Sequence, residues 1–179
     1  TATEKDFGFS AHSLTLNGDI GVNFYLELDE TILKDDSAVM EMTIAGKEKT
    51  KIKVSDAVAK GYQEVKDTDG NSHQCYKFTC NVYAKQMTDN IVATLKTSSG
   101  TWKEVYSVQS YVDKAQNSGN EKLKKLATAM AIYGGYAQIL FGYNTNNLAG
   151  GSLGDVSAVT KDMLSEYEYV ESGAEEGLS

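Results

Sequence analysis

With 179 residues, 41% of them apolar and 23% charged, the chain has the size of one domain and enough apolar material for a core. The formal net charge of −8 argues against nucleic acid and anionic membrane surfaces as partners, because both are held by basic patches. The lysines are scattered singly or sit in one short run of Lys122, Lys124 and Lys125.

The opening "TATEKDFGFS" shows no signal peptide and reads as a mature or trimmed start, which says nothing of compartment. From Phe7 to Tyr106 the dominant period is two. "FSAHSLTL" predicts a first strand. "IGVNFYLEL" alternates Ile20, Val22, Phe24, Leu26 and Leu28 against Gly21, Asn23, Tyr25 and Glu27, the pattern of a half-buried strand. "AVMEMTI" puts Ala38, Met40, Met42 and Ile44 inward, and "AGKEK" turns it into "KTKIKV", a hairpin whose Lys49, Lys51 and Lys53 face water. Lysines so placed also discourage edge-to-edge pairing. "YKFTCNVYA" points Tyr76, Phe78, Cys80 and Val82 inward, and "NIVATLKT" does the same with Ile91, Ala93 and Leu95 before the turn "TSSG". Cys75 and Cys80 stand about 16 Å apart in a continuous strand and on opposite faces, too far for a disulfide, so free thiols are expected.

At Ser107 the period changes. Ser107 is placed to cap a helix, "VQSYVDKAQ", with Val108, Tyr111, Val112 and Ala115 on one face. After "NSGN" a long helix is expected from Glu121 to Tyr143, with an apolar stripe of Leu123, Leu126, Ala127, Met130, Tyr133, Gly134, Ala137, Leu140 and Phe141. Its uncharged run from Leu126 to Asn147 approaches membrane-spanning length. However, Lys122, Lys125, Thr128 and Gln138 fall outside the stripe, and Gly134 and Gly135 each cost about 1 kcal/mol of helix propensity. This predicts a buried helix docked on its own domain, with no membrane insertion. "DVSAVTKDMLSEYEY" predicts a last short helix, and "VESGAEEGLS" a linker.

Three motifs suggest chemistry and fail on context. "GGSLG", Gly150 to Gly154, matches the nucleophile elbow, but a helix precedes it and both His12 and His73 lie upstream, so a hydrolase is disfavoured. "DTDGN", Asp67 to Asn71, resembles the start of a calcium loop, yet Ser72 and Phe78 stand where glycine and glutamate are needed, and Asp69-Gly70 is a strong turn dipeptide. His73 and Cys75 share a strand face, but two ligands do not make a zinc site. No catalytic residue, metal or cofactor is expected. Trp102 follows a Ser-Ser-Gly turn beside Lys103 and Glu104. As a structural residue it rims the core where the last strand meets the first helix; as a functional one it offers an indole on which a sugar ring can stack. Tyr106 shares its strand parity and Tyr83 lies on the polar face of its own strand, so each is a candidate second platform.

"LTLNGDIGVNFYLEL" (14–28) and "KLKKLATAMAIYGGYAQILFGYNTNNLA" (122–149), the latter preceded by "YSVQSYV", resemble a module of large secreted and cell-surface proteins of gut Firmicutes. The similarity runs from about residue 10 to 178. It implies an extracellular, non-catalytic bead of a longer multi-modular chain and carries no site residues with it.

These readings give an α+β, mainly β chain: an antiparallel β-sandwich over 7–106, immunoglobulin-like in architecture, a C-terminal helical hairpin over 107–147 packed on it in the same domain, and 148–179 as short helix and linker. The expected function is a non-enzymatic surface module for adhesion, scaffolding or spacing, with a host or bacterial surface protein as partner. The alternative is a carbohydrate-binding module that holds a glycan through Trp102, Tyr106 and Tyr83.

Overall fold

The computed structural model describes residues 4–5, 8–17 and 19–150. Strands β1 (Glu4–Lys5), β9 (Gly100–Tyr106), β8 (Ile91–Thr97), β4 (Val39–Ile44) and β5 (Lys47–Lys53) form one sheet in that order. A second sheet runs β2 (Ser10–Asn17), β3 (Asp19–Leu26), β7 (Ser72–Val82) and β6 (Gln63–Lys66). Every pairing is antiparallel except β1 with β9. The protein is therefore mainly β, two mostly antiparallel sheets with few helices.

The two sheets share one core. Leu14, Val22, Phe24 and Phe78 enter it from the second sheet, and Met40, Met42, Ile91 and Leu95 from the first. Short helices α1 (Glu30–Leu33) and α2 (Val54–Ala59) carry the chain around the edges, where the period-two pattern lapses. α3 (Val108–Gln116) begins as expected, with Ser107 Oγ accepting from the Ser110 N–H at 3.1 Å and Val108, Tyr111, Val112 and Ala115 buried. α4 (Glu121–Phe141) packs on α3, starts on an Asn120 cap and stops at Gly142, whose φ of 59° suits glycine best.

Two expectations need correction. β3 is not half-buried: Asn23 and Tyr25, assigned to its polar face, are buried as well as Val22 and Phe24. The reason is a polar lattice across the outer face of the sheet. Asn23 donates to Ser13 at 3.0 Å and to Thr15 at 2.8 Å, Thr79 donates to Asn23 at 2.7 Å, and the Ser13 and Tyr25 hydroxyls meet at 2.9 Å. Side chains that satisfy one another can be covered without the usual penalty.

The α4 stripe is also different. Tyr133, Leu140 and Phe141 are exposed, while Gln138 is fully buried. The docking face keeps Ala127, Met130, Gly134 and Ala137 of the expected stripe and adds Ala131, and its small residues let partners come close. A Cβ on Gly134 would lie 2.7 Å from Met87 Sδ and 3.2 Å from Ala149 Cβ. Gln138 is buried because the returning segment needs it: its amide donates to the Asn144 and Asn147 carbonyls at 3.1 and 2.9 Å and its carbonyl accepts from the Ala149 N–H at 2.8 Å. Among the described residues no helix is long and apolar enough to cross a membrane. The "GGSLG" motif beyond Gly150 and the expected helix and linker lie outside the described residues.

Gly134→Leu should therefore overpack the contact with Met87 and Ala149 and destabilise by about 1–3 kcal/mol. Thermal melting followed by circular dichroism tests this, and an unchanged Tm would show that the seam can open freely.

Candidate functional site

The described surface holds a cleft of about 330 Å³ where β3 runs out of its sheet. The chain leaves Leu26 as Glu27-Leu28-Asp29, and these three residues form one wall with Gly8 and Phe9, which stand just before β2. Leu95 and Trp102, from the other sheet, and Ile32 of α1 line the rest of it. Strand parity puts Trp102 there. It pairs with buried Leu95 across β8 and β9, so its indole lies on the core-facing side and is half-buried against the core, at the edge where the sheet ends.

Each wall is pinned. Asp29 accepts from the Ile32 N–H at 2.9 Å as the cap of α1, which fixes the end of the β3 extension. The β8–β9 turn that delivers Trp102 is held by Asp35, whose Oδ2 accepts from the Ser98 N–H at 2.7 Å and the Ser98 hydroxyl at 2.9 Å. The Ser37 hydroxyl and these Ser98 bonds hold the Asp35 carboxyl well below the usual carboxylate range. Ser10 Oγ donates to Glu104 Oε1 at 3.0 Å, joining the start of β2 to β9 two residues beyond Trp102. His12 Nε2 approaches the same oxygen to 3.2 Å, at an angle too poor for a hydrogen bond.

Beside the cleft, His73 sits between two carboxylates. One ring nitrogen meets Asp67 Oδ2 at 2.8 Å and the other meets Glu27, while the ring stacks on Phe9 at 3.9 Å between centroids. Asp67, and then Glu27, raise the His73 pKa; the His73 bond, with help from the Asn71 and Asp69 N–H groups, lowers that of Asp67. "DTDGN" is the turn expected of it. Asp67 Oδ1 accepts from the Asp69 and Asn71 N–H groups at 2.9 Å each, so this carboxylate is spent on the turn and on His73. Among the described residues no group of three or more acidic, histidine or cysteine side chains is arranged to hold a metal. Cys75 and Cys80 are free and buried, and burial pushes both thiols up to about 11, which keeps them protonated.

The three candidate platforms are not brought together. Trp102 lines the cleft. Tyr106 lies on the same face of β9 but stacks on His12 at 3.7 Å, and burial, then Glu104, pushes its hydroxyl up to about 12. Tyr83 follows the opposite end of β7, 62% exposed with the Lys49 ammonium 4.3 Å from its ring centre. Sequence reasoning missed Phe9, Glu27 and Asp29. Asp29 was legible as a helix cap in "LDETIL"; nothing local marks the other two, which are joined by long-range pairing.

Comparison with protein-family models, curated proteins and solved structures found no match for this chain.

The His73 knot sets a pH signature. Its histidine contribution to stability is complete below the unfolded pKa, about 6.5, and is lost as pH rises through the raised folded value. The Asp67 contribution is present above about pH 3.9 and is lost as pH falls through its lowered value. The Tm difference between the wild type and His73→Gln should therefore be larger at pH 6 than at pH 9. An equal difference at both would mean that the imidazolium form contributes nothing.

Proposed function

We propose that this protein is a non-enzymatic binding module of an extracellular surface protein and that it takes a glycan in the Trp102 cleft. In this reading the two sheets are an immunoglobulin-like β-sandwich and α3 with α4 is its docked helical hairpin. The observation that carries it is the placing of the indole in an open cleft that Glu27 and Asp29 also line. A sugar ring offers a flat C–H face to an aromatic side chain and hydroxyls to carboxylates, and this cleft has both kinds of residue. The non-enzymatic reading draws support from His73, whose two ring nitrogens are occupied by carboxylates, and from two cysteines held as buried thiols. The extracellular assignment rests on the resemblance of the two long sequence stretches.

A second reading, protein adhesion or scaffolding, is favoured by the exposed Tyr133, Leu140 and Phe141 on α4, at 38%, 64% and 66% of full exposure. The chain's single tryptophan makes the two readings separable. Soluble polysaccharides should change the intrinsic fluorescence of the wild type, and Trp102→Ala should weaken binding measured by calorimetry at least about fivefold, since stacking on an indole contributes about 1 kcal/mol beyond buried area. A wild type that responds to no glycan, or a variant that binds equally well, would leave adhesion or spacing as the function.

A further inference from the structure

We infer, resting on the glycan reading above, that His73 is a positioning residue of the cleft: with both ring nitrogens protonated it holds the wall made by Glu27 and Phe9, and on losing a proton it lets that wall go. Glu27 and Phe9 both line the cleft, and His73 touches each of them from outside the lining. One ring nitrogen meets Glu27 and the other meets Asp67 Oδ2 at 2.8 Å. The ring lies on Phe9 at 3.9 Å between centroids, with 10° between the planes. The Glu27 N–H also donates to the Phe9 carbonyl at 3.2 Å, so the two wall residues are tied to each other as well as to His73.

Two carboxylates need two N–H donors, and only the imidazolium has them. Neutral imidazole keeps one N–H and turns a lone pair toward the other carboxylate. Asp67 is placed to keep the remaining donor, because its Oδ1 is fixed by the Asp69 and Asn71 N–H groups at 2.9 Å each. Glu27, whose side chain is half exposed, is the one released. Each element around the ring has been given its part. β6 sets Val65 opposite His73 and turns Glu64 and Lys66 to its other face, where Glu64 takes the Ser72 hydroxyl at 3.3 Å. β7 adds Cys75 on the same face, a thiol pushed up to about 11 and so protonated between pH 6 and pH 9. The turn adds Asp69, whose N–H serves Asp67. Among the described residues, Glu27 and Asp67 are the charges that meet the ring nitrogens, and both raise the His73 pKa, Asp67 the more.

The first arm of the test needs no ligand. Trp102 lines the same cleft and is the only tryptophan, so its quenching by acrylamide reports how well the wall is held. In the wild type, quenching should be low at pH 6 and rise toward pH 9, with its midpoint at the His73 titration read by NMR. His73→Gln, which cannot span both carboxylates, should be quenched at the higher level at both pH values. Glu27→Gln should stay at the lower level at both, because an amide accepts from the imidazolium and donates to the neutral ring. A flat wild-type profile, or a rise that persists unchanged in Glu27→Gln, would overturn the positioning role. The second arm measures neutral oligomers of glucose, mannose and xylose by calorimetry, since none of them titrates. An oligomer that binds at pH 6 should bind roughly three- to tenfold more weakly at pH 9, because the wall must then be ordered on association. Glu27→Gln should show the same affinity at both. Equal wild-type affinity at the two pH values would overturn the positioning role while the glycan reading stood. Binding of no oligomer at either pH would remove the glycan reading, and the quenching profile would still decide whether His73 holds the wall.

Discussion

The covering of β3 on both faces is the constraint from which the rest of the molecule follows. Its inner face sends Val22, Phe24 and Leu26 into the shared core, and each such side chain contributes about 1.5–3 kcal/mol on full burial. Its outer face is closed by Asn23 and Tyr25 through hydroxyl and amide partners on β2 and β7. A one-residue slip in register would exchange the two sets, placing Asn23 in the apolar core and Phe24 among hydroxyls. The lattice therefore fixes register as firmly as the core does. A strand so fixed delivers its next residues, Glu27 to Asp29, to a defined place, and the cleft is built there.

The two sheets meet near the cleft through polar groups rather than through bulk. Ser10, His12 and Glu104 occupy core-facing positions between apolar layers, and Tyr106 closes over His12 with its ring parallel to the imidazole. Side chains of this kind cost desolvation unless partnered, so a purely stability-driven packing would replace them with aliphatic residues. Here His12 Nε2 and Glu104 Oε2 are buried without a hydrogen bond, while the Ser10–Glu104 bond ties β2 to β9 at the level of Phe9 and Trp102. The Asp35–Ser98 bonds do the same for the turn that precedes Trp102. Thus each wall of the cleft is anchored to a different part of the scaffold. That arrangement suits a binding site whose rim must keep its shape without a ligand, because rigid walls reduce the ordering cost on association.

Much of this was legible from the residues, and the failures have identifiable causes. Period-two runs located β3, β4, β7, β8 and the inward set Met40, Met42, Ile44, Ile91, Ala93 and Leu95, because alternation is a local consequence of the pleat. Ser107 and Asp29 are local cap signals, although only the first was read. α2 escaped because six residues span less than two helical turns, and β6 because its four residues are nearly all exposed and show no apolar alternation. On α4 the stripe rightly included Gly134 and Ala137 but extended to Leu140 and Phe141, which are exposed, and left out Gln138, which is buried. Close approach of Met87 and Ala149 requires the absence of a side chain at Gly134, as its place in the stripe suggested, whereas the partners themselves lie far off in sequence or beyond the helix and left no local signal. The cleft was half legible: Trp102 could be singled out as the lone indole after a turn. Phe9 and Glu27 join it only through the β2–β3–β7 pairing, a contact between distant parts of the chain.

The size of the cleft limits how such a module would work. About 330 Å³ is at the small end for a ligand site and suits one or two sugar rings. At about −0.3 kcal/mol per non-hydrogen atom, a ring of about a dozen atoms yields roughly −4 kcal/mol, which corresponds to a millimolar Kd. One copy would then hold a polysaccharide only briefly. Two linked copies on the same chain turn the second contact into an intramolecular one, and avidity rises by about 10² or more without any change in the cleft. A small, weakly binding site with anchored walls is thus consistent with a module that acts as one of several in a longer surface protein. In that setting the polysaccharide repeats supply the multivalency, and the rigidity of β3 keeps every copy of the site alike.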